Sequence, residues 1–192
     1  MKKETIKVSE QPIALQNPLE DERLRLQNFL SRLQQEPNVV EKTPDGRANT
    51  VPISHVEMTL DELYFGMWTT ENFKWQVISN EIVGSLELVV TNPVNGMLVR
   101  RIGSASIQIM VDAIPNEIKN DKAKVKEWQF DAHNKKANAL DMGFPKLKAE
   151  CLKNASQSLG KVFGRDINRK TIDTFNPLVK KKASIKDQWT IE

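Results

Sequence analysis

Residues 81–109 read E-I-V-G-S-L-E-L-V-V-T-N-P-V-N-G-M-L-V-R-R-I-G-S-A-S-I-Q-I. Two runs of alternating side chains flank Asn95-Gly96, a dipeptide that favours a type I′ turn because both residues tolerate positive φ. A two-residue loop there pairs Val94 with Met97 and gives the hairpin one largely apolar face and one half-polar face. The apolar face would pair Ile82, Gly84, Leu86, Leu88 and Val90 with Ile109, Ile107, Ala105, Gly103 and Arg101.

A third strand is predicted just before this hairpin. Residues 73–78 alternate aromatic or aliphatic side chains with polar ones, which is typical of a half-buried strand. Near the hairpin tip, Arg100 and Arg101 are consecutive and must point to opposite faces, so at least one should be exposed. The sequence therefore predicts a short antiparallel sheet.

A helix over residues 145–164 is the best partner for the apolar face of that sheet. It would open at Phe144-Pro145 and end at Gly164, with Gly160 and Gly164 allowing close packing on the sheet. Its apolar stripe comprises Leu147, Cys151, Ala155, Leu159 and Val162 or Phe163. The opposite stripe comprises Lys146, Glu150, Lys153, Gln157 and Lys161.

The N-terminal half is predicted to be helical. Residues 19–36 form one helix, followed by a turn-rich linker over residues 37–50. A second helix begins near Pro52 and reaches Gly66, although a capping box at Thr59 offers an alternative start. Residues 113–138 are polar and are expected to form a mobile insertion with a short helix at residues 122–130.

These elements predict an α+β fold: a short antiparallel β-sheet backed by a long helix, with a helical N-terminal region used in subunit contact. A chain of 192 residues is too short for two independent cores. The expected organisation is a flexible arm at residues 1–18, one domain at residues 19–170 and a basic tail at residues 171–192.

The composition excludes several classes of protein. With 39% hydrophobic and 28% charged residues, the chain is neither collagen-like, low-complexity nor wholly disordered. It has no apolar run of 18 residues and its first ten residues are polar, so a cytoplasmic protein is expected. Cys151 is the single cysteine, and with only His55 and His133 it makes no zinc cluster. The sequence predicts no cofactor.

Charge is distributed unevenly along the chain. Residues 1–96 carry a net charge of −5 and residues 97–192 a net charge of +8. Most of the excess lies between Lys146 and Lys186, including Lys180, Lys181 and Lys182. A basic half suggests a polyanionic partner, whereas two unrelated solvated surfaces remain the alternative.

Motifs for catalysis are absent from the sequence. It contains no P-loop, G-x-S-x-G elbow, H-E-x-x-H or dinucleotide-binding glycine pattern, so no enzyme is predicted. His55 is expected to be a surface or packing residue. Asp112, Asp121 and Asp131 leave open a metal-dependent nuclease as a minor alternative.

Residues 145–169 read P-K-L-K-A-E-C-L-K-N-A-S-Q-S-L-G-K-V-F-G-R-D-I-N-R. The part from Leu152 to Gly164 resembles the signature helix of the Rad fifty-two superfamily of single-strand annealing proteins, which includes phage recombinases of the Sak type. The upstream order is similar too: a helix, Trp68 and Trp75, a hairpin, and R-x-G-x-A at residues 101–105. The resemblance covers about residues 50–170.

The resemblance implies a β-β-β-α core that assembles into rings or filaments. Such proteins bind single-stranded DNA in a basic groove and anneal complementary strands without nucleotide hydrolysis, in recombination and repair. It also implies a phage or mobile-element source, hence the bacterial host cytoplasm, and a host or phage single-strand-binding protein as a further partner. Lys153 falls on a groove position, whereas Asn154 and Gln157 stand where relatives can carry arginine.

Seven basic residues are predicted to contact DNA: Arg100, Arg101, Lys153, Lys161, Arg165, Arg169 and Lys170. Lysine and arginine neutralise phosphates, which makes such binding strongly salt-dependent. Trp68, Trp75 and Trp128 are expected to be core anchors rather than stacking platforms. An RNA- or DNA-binding adaptor that does not anneal strands is the main alternative function.

Overall fold

The computed structural model describes residues 18–43 and 46–169. The fold is α+β, as predicted. In chain order the elements are α1 (Pro18–Leu33), β1 (Glu41–Lys42), β2 (Asn49–Thr50), α2 (Ile53–Tyr64), β3 (Trp68–Ile78), β4 (Glu81–Thr91), β5 (Leu98–Gln108), α3 (Lys122–Phe130) and α4 (Ala139–Gln157). The predicted tail at residues 171–192 and the arm, apart from Pro18, lie outside the described residues.

Strands β3, β4 and β5 form an antiparallel sheet in that order, with β4 in the centre. Helix α4 packs across one face of β4 and β5, and the even-numbered residues of β4 face it. Ile82, Leu86, Leu88 and Val90 are almost completely buried there. Burial of this face against one helix is the arrangement that the alternating pattern predicted.

The register between β4 and β5 is two residues away from the predicted one. Ile82 pairs with Ile107 rather than with Ile109, and Thr91 pairs with Leu98. Because side chains alternate with a period of two residues, this shift exchanges partners without moving any side chain to the other face. The predicted faces are therefore confirmed, although the predicted pairs are wrong.

The turn explains the shift. It begins at Asn92-Pro93, where the Asn92 N–H donates to the Met97 carbonyl oxygen at 2.8 Å. The Oδ1 atom of Asn92 accepts the N–H of Val94 at 2.9 Å, which stabilises a wider loop. Within this turn only Gly96 has positive φ, at 69°, whereas a type I′ turn needs positive φ at two consecutive residues.

Helix α4 starts and ends earlier than the predicted helix at residues 145–164. Pro145 lies inside the helix rather than at its start. The preceding turn stays helical because Ala139 is buried and Gly143 packs against the Ile82 side chain. At the other end the N–H groups of Ser158 and Leu159 bond three residues back, which tightens and ends the helix.

Glycines allow two close backbone approaches. A Cβ atom at Gly103 would lie 2.0 Å from the Cys151 carbonyl oxygen, so α4 contacts β5 directly at this point. A Cβ atom at Gly160 would lie 2.3 Å from the Leu33 carbonyl oxygen. Gly160 therefore packs against the end of α1 and not on the sheet, and Gly164 ends a short 3₁₀ turn at Lys161–Phe163 with φ of 85°. The predicted packing of this glycine pair on the sheet is wrong.

The remaining helices follow the prediction closely. Helix α1 is confirmed, and α2 begins after Pro52, so the alternative start at Thr59 is wrong because Thr59 is buried in mid-helix. Helix α3 has the predicted bounds, and the Asp121 side chain accepts two backbone N–H groups at its start. The linker at residues 37–50 contains the small β1–β2 hairpin, which the sequence did not reveal. Within the described ranges no helix is long and apolar enough to cross a bilayer.

Tyr64 provides a probe of core packing because it is the only tyrosine of the chain. Its ring makes an edge contact with Phe29 at 5.6 Å, and burial raises the pKa of Tyr64 from 10 to about 12 against a smaller opposing effect of the Arg101 charge.

We expect the phenolate absorbance of the folded protein to titrate near pH 12 and that of the unfolded chain near pH 10. Since the folded-state pKa is raised, the stabilisation is complete below pH 10 and is lost as the pH rises from 10 through 12. The variant Tyr64→Phe should lack this part of the alkaline loss of stability. A folded-state midpoint near 10 would contradict the packing.

Candidate nucleic-acid interface

An open groove lies between strand β5, helix α4 and the β1–β2 hairpin, with a cavity volume of about 620 Å³. We call it the β5–α4 groove. Most of its lining side chains are polar. It is lined by Thr43, Thr50, Ser104, Ala105, Ser106, Ile107, Gln108, Lys146, Glu150, Lys153, Asn154 and Gln157.

The floor of the β5–α4 groove is the outer edge of β5, which pairs with β4 on its other side. The Oδ1 atom of Asn154 accepts the N–H of Ser104 at 3.1 Å, so this backbone group points away from β4 and toward the helix. Ser104, Ser106 and Gln108 are exposed along this edge. Their side chains lie on the same face of the sheet as Arg100, away from α4, so the groove presents the polar backbone edge of β5 rather than a row of hydroxyl groups.

The far wall is held by long-range hydrogen bonds. Asn168, which follows the 3₁₀ turn after α4, accepts the N–H of Asn49 at 2.7 Å and donates to the Asn49 carbonyl oxygen at 2.8 Å. This pair of bonds fixes the β1–β2 hairpin, whose Thr43 and Thr50 line the groove. The groove is therefore assembled from three parts of the chain that are distant in sequence.

Two lysines and one glutamate give the β5–α4 groove its charge. Lys146, Glu150 and Lys153 lie on one stripe of α4 because they are four and three residues apart. The Lys153 Nζ atom is 2.9 Å from Glu150 Oε1, and the Lys153 side chain is only 14% exposed. Lys146 is exposed. An anion that enters the groove thus meets one solvated ammonium group and one that already has a carboxylate partner.

The predicted DNA-contacting residues do not form a single surface. Lys153 lies in the groove, but Lys161 is half-buried in the 3₁₀ turn and does not line it. The Arg165 guanidinium donates to the carbonyl oxygens of Gln157 and Ser158, so it caps the C-terminal end of α4. Arg169 lies 3.2 Å from Asp166, and Lys170 lies outside the described residues.

Arg100 and Arg101 point to opposite faces of the sheet, as their adjacency predicted. Arg101 pairs with Leu88 on the face that carries α4, whereas Arg100 pairs with Val89 on the other face. There Arg100 contacts Glu71 at 2.8 Å and Glu87 at 3.2 Å, and the hydrogen bond that Arg100 donates to Glu71 raises the pKa of Arg100. A phosphate at Arg100 would have to compete with two carboxylates.

Neither Lys146 as a site residue nor the hairpin threonines as a groove wall were predicted from the sequence. Lys146 carried a usable signal, because it lies two helical turns before Lys153 on the same stripe. The hairpin carried no such signal, since its position depends on Asn168.

None of Trp68, Trp75 and Trp128, the tryptophans that the structure describes, lines the groove. Trp68 and Trp128 are half-buried, and their indole N–H groups donate to Asp61 and to the Asp112 carbonyl oxygen. Trp75 is 52% exposed and makes an edge contact with Phe144 at 4.5 Å, so it is not the core anchor that was predicted.

Two of the three aspartates of the nuclease alternative cap helical turns. Asp121 and Asp131 accept backbone N–H groups at the starts of α3 and of the following 3₁₀ turn. Asp131 also contacts exposed His133, at 3.0 Å. In the part of the chain that the structure describes, no three histidine, cysteine, aspartate or glutamate side chains are grouped as metal ligands would be. His55 is half-buried with an unpaired Nε2 atom, consistent with a packing position.

No protein-family model matches this chain, and no curated protein matches it significantly. The resemblance to the Rad fifty-two superfamily therefore remains a prediction.

Proposed function

We propose that this protein binds single-stranded DNA in the β5–α4 groove and anneals complementary strands without ATP. The observation that carries the proposal is the groove itself: an open channel in which Lys146 and Lys153 lie above the polar edge of a strand. A mechanism of this kind breaks no covalent bond. The protein needs only to neutralise phosphates and to keep the bases extended and accessible.

The groove chemistry suits a sugar–phosphate backbone. Ammonium groups attract phosphates at any sequence, and the side-chain amides of Asn154 and Gln157 on α4 can donate to phosphate oxygens. None of the three described tryptophans lines the groove, so bases have no large aromatic platform there. We infer that phosphates face the protein and bases face outward, which leaves them free to pair.

Assembly into a ring or filament is part of the proposal, and strand β3 supports it. Within residues 18–43 and 46–169, β3 pairs with β4 alone, so one of its edges is open. Trp75, Val77 and Ile78 are about half exposed on this strand. An open edge with apolar side chains favours contact with a second copy of the chain, and a head-to-tail contact generates rings or filaments.

Strand annealing of labelled complementary oligonucleotides, without nucleotide, tests the function. We expect the protein to accelerate pairing, with single-strand binding that weakens steeply as salt increases. Electron micrographs with and without an oligonucleotide should show rings or filaments. Binding without faster pairing would instead identify a nucleic-acid-binding adaptor, and Mg²⁺-dependent cleavage that is lost in Asp112→Ala would identify a nuclease.

A further inference from the structure

Glu150 occupies an unusual place for a carboxylate in a groove proposed to hold a polyanion. It lies between Lys146 and Lys153 along the α4 stripe and lines the β5–α4 groove with them. Its Oε1 atom is 2.9 Å from the Lys153 Nζ atom, within the range of a charge-assisted hydrogen bond. A carboxylate here repels phosphates and pairs with one of the two lysines that line the groove.

We propose that Glu150 is an internal competitor of phosphate for Lys153 and so sets the affinity of the β5–α4 groove for single strands. The inference rests on the proposed function. In the free protein Glu150 pairs with Lys153; when DNA enters, a phosphate oxygen takes the place of the carboxylate oxygen and Glu150 turns toward solvent. Annealing requires release of the paired strands, and competition from Glu150 keeps strand binding reversible.

The exposures of the two partners support this exchange. The Lys153 side chain is 14% exposed, so its ammonium group is held at the groove wall, whereas Glu150 is 42% exposed and has solvent to move into. In a fully solvated ion pair three residues apart on a helix, both groups would stay hydrated, and the carboxylate would compete little with phosphate for the lysine. Here one partner is fixed at the wall and the other can leave.

The test compares Glu150→Gln with Glu57→Gln, using oligo(dT) as the probe. Both substitutions remove one negative charge, but Glu57 lies on the exposed side of α2 and does not line the groove. Glutamine has nearly the same size and shape as glutamate, so the fold should be retained while the charge that holds Lys153 is lost. We expect Glu150→Gln to bind roughly 3- to 10-fold more tightly at ~0.1 M salt, because a lysine becomes available to phosphate.

The salt dependence separates competition from a general charge effect. One additional phosphate contact should steepen the slope of log affinity against log salt by about 0.7 for a single strand. In a Lys153→Gln background, Glu150→Gln should lose most of its gain, since there is no ammonium group to release.

The outcomes distinguish this inference from the proposed function. If the wild-type protein binds oligo(dT) but Glu150→Gln behaves like Glu57→Gln, or binds more weakly, the competitor role is wrong and the function stands. If Glu150→Gln raised the affinity for oligo(dT) equally in the wild-type and Lys153→Gln backgrounds, competition for Lys153 would also be contradicted. If no variant binds oligo(dT), the proposed function and this inference are both overturned.

Discussion

Replacement of Gly103 by alanine is expected to destabilise the domain by about 3 kcal/mol, at the upper end of the range for overpacking a core. The new Cβ atom would lie 2.0 Å from the Cys151 carbonyl oxygen and 2.6 Å from the Ala155 backbone nitrogen. Both contacts are with the backbone of α4, so no side-chain rotation relieves them. The helix would have to move away from β5, and the buried face of the sheet would lose its packing.

Urea denaturation measures this effect, and Gly143→Ala is a matched control. The added methyl group at Gly143 meets only the end of the Ile82 side chain, at 2.7 Å, which can shift. Since alanine also favours a helix over glycine by about 1 kcal/mol, we expect the free energy of unfolding to change by less than about 1 kcal/mol. If Gly103→Ala, like its control, changed the free energy of unfolding by less than about 1 kcal/mol, α4 would not touch β5 at Gly103.

The largest functional effect is expected for the double variant Lys146→Glu with Lys153→Gln. It removes both ammonium groups that line the β5–α4 groove and adds a second carboxylate near Glu150. Loss of two phosphate contacts, together with added repulsion, should weaken single-strand binding by roughly 10- to 100-fold at ~0.1 M salt and flatten the salt dependence. Fluorescence anisotropy with a labelled oligonucleotide measures both quantities.

The control for this variant changes the net charge equally at a distant place. Lys122→Glu with Lys119→Gln alters two exposed lysines at and just before the start of α3, neither of which lines the groove. We expect binding close to that of the wild type, with circular dichroism confirming that all variants are folded. If the two double variants lose affinity equally, binding depends on net charge and the groove assignment is wrong.

The faces of the sheet could be predicted from the sequence because they depend only on alternation. Ile82, Leu86 and Leu88 remain on one face whichever register the hairpin adopts by steps of two residues. The register itself depends on where the turn begins, and the side chain of Asn92 decides this by bonding within a wider loop. Asn95-Gly96 favours a two-residue turn, but the bond from Asn92 stabilises the wider loop instead.

The ends of α4 show the same division. Helical spacing placed Lys146, Glu150 and Lys153 on one stripe, and the structure confirms that spacing. It could not show that the helix ends at Gln157, because the bonds that tighten the last turn and the contact of Gly160 with α1 are not periodic features. Because Lys161 lies beyond the end of α4, it is not on the stripe where it was predicted to lie.

By itself, the sequence determined the α+β class, the buried faces of β4 and α4 and the charge along α4, because these follow from periodicity within one segment. The half-buried strand predicted at residues 73–78 is instead exposed in β3, since α4 covers β4 and β5. Only the tertiary structure decided which charges are available. Glu71 and Glu87 engage Arg100 across the sheet, and Asn168 brings the β1–β2 hairpin to the groove. Contacts between distant segments depend on how the helices and strands pack against one another, and no pattern within one segment determines that packing.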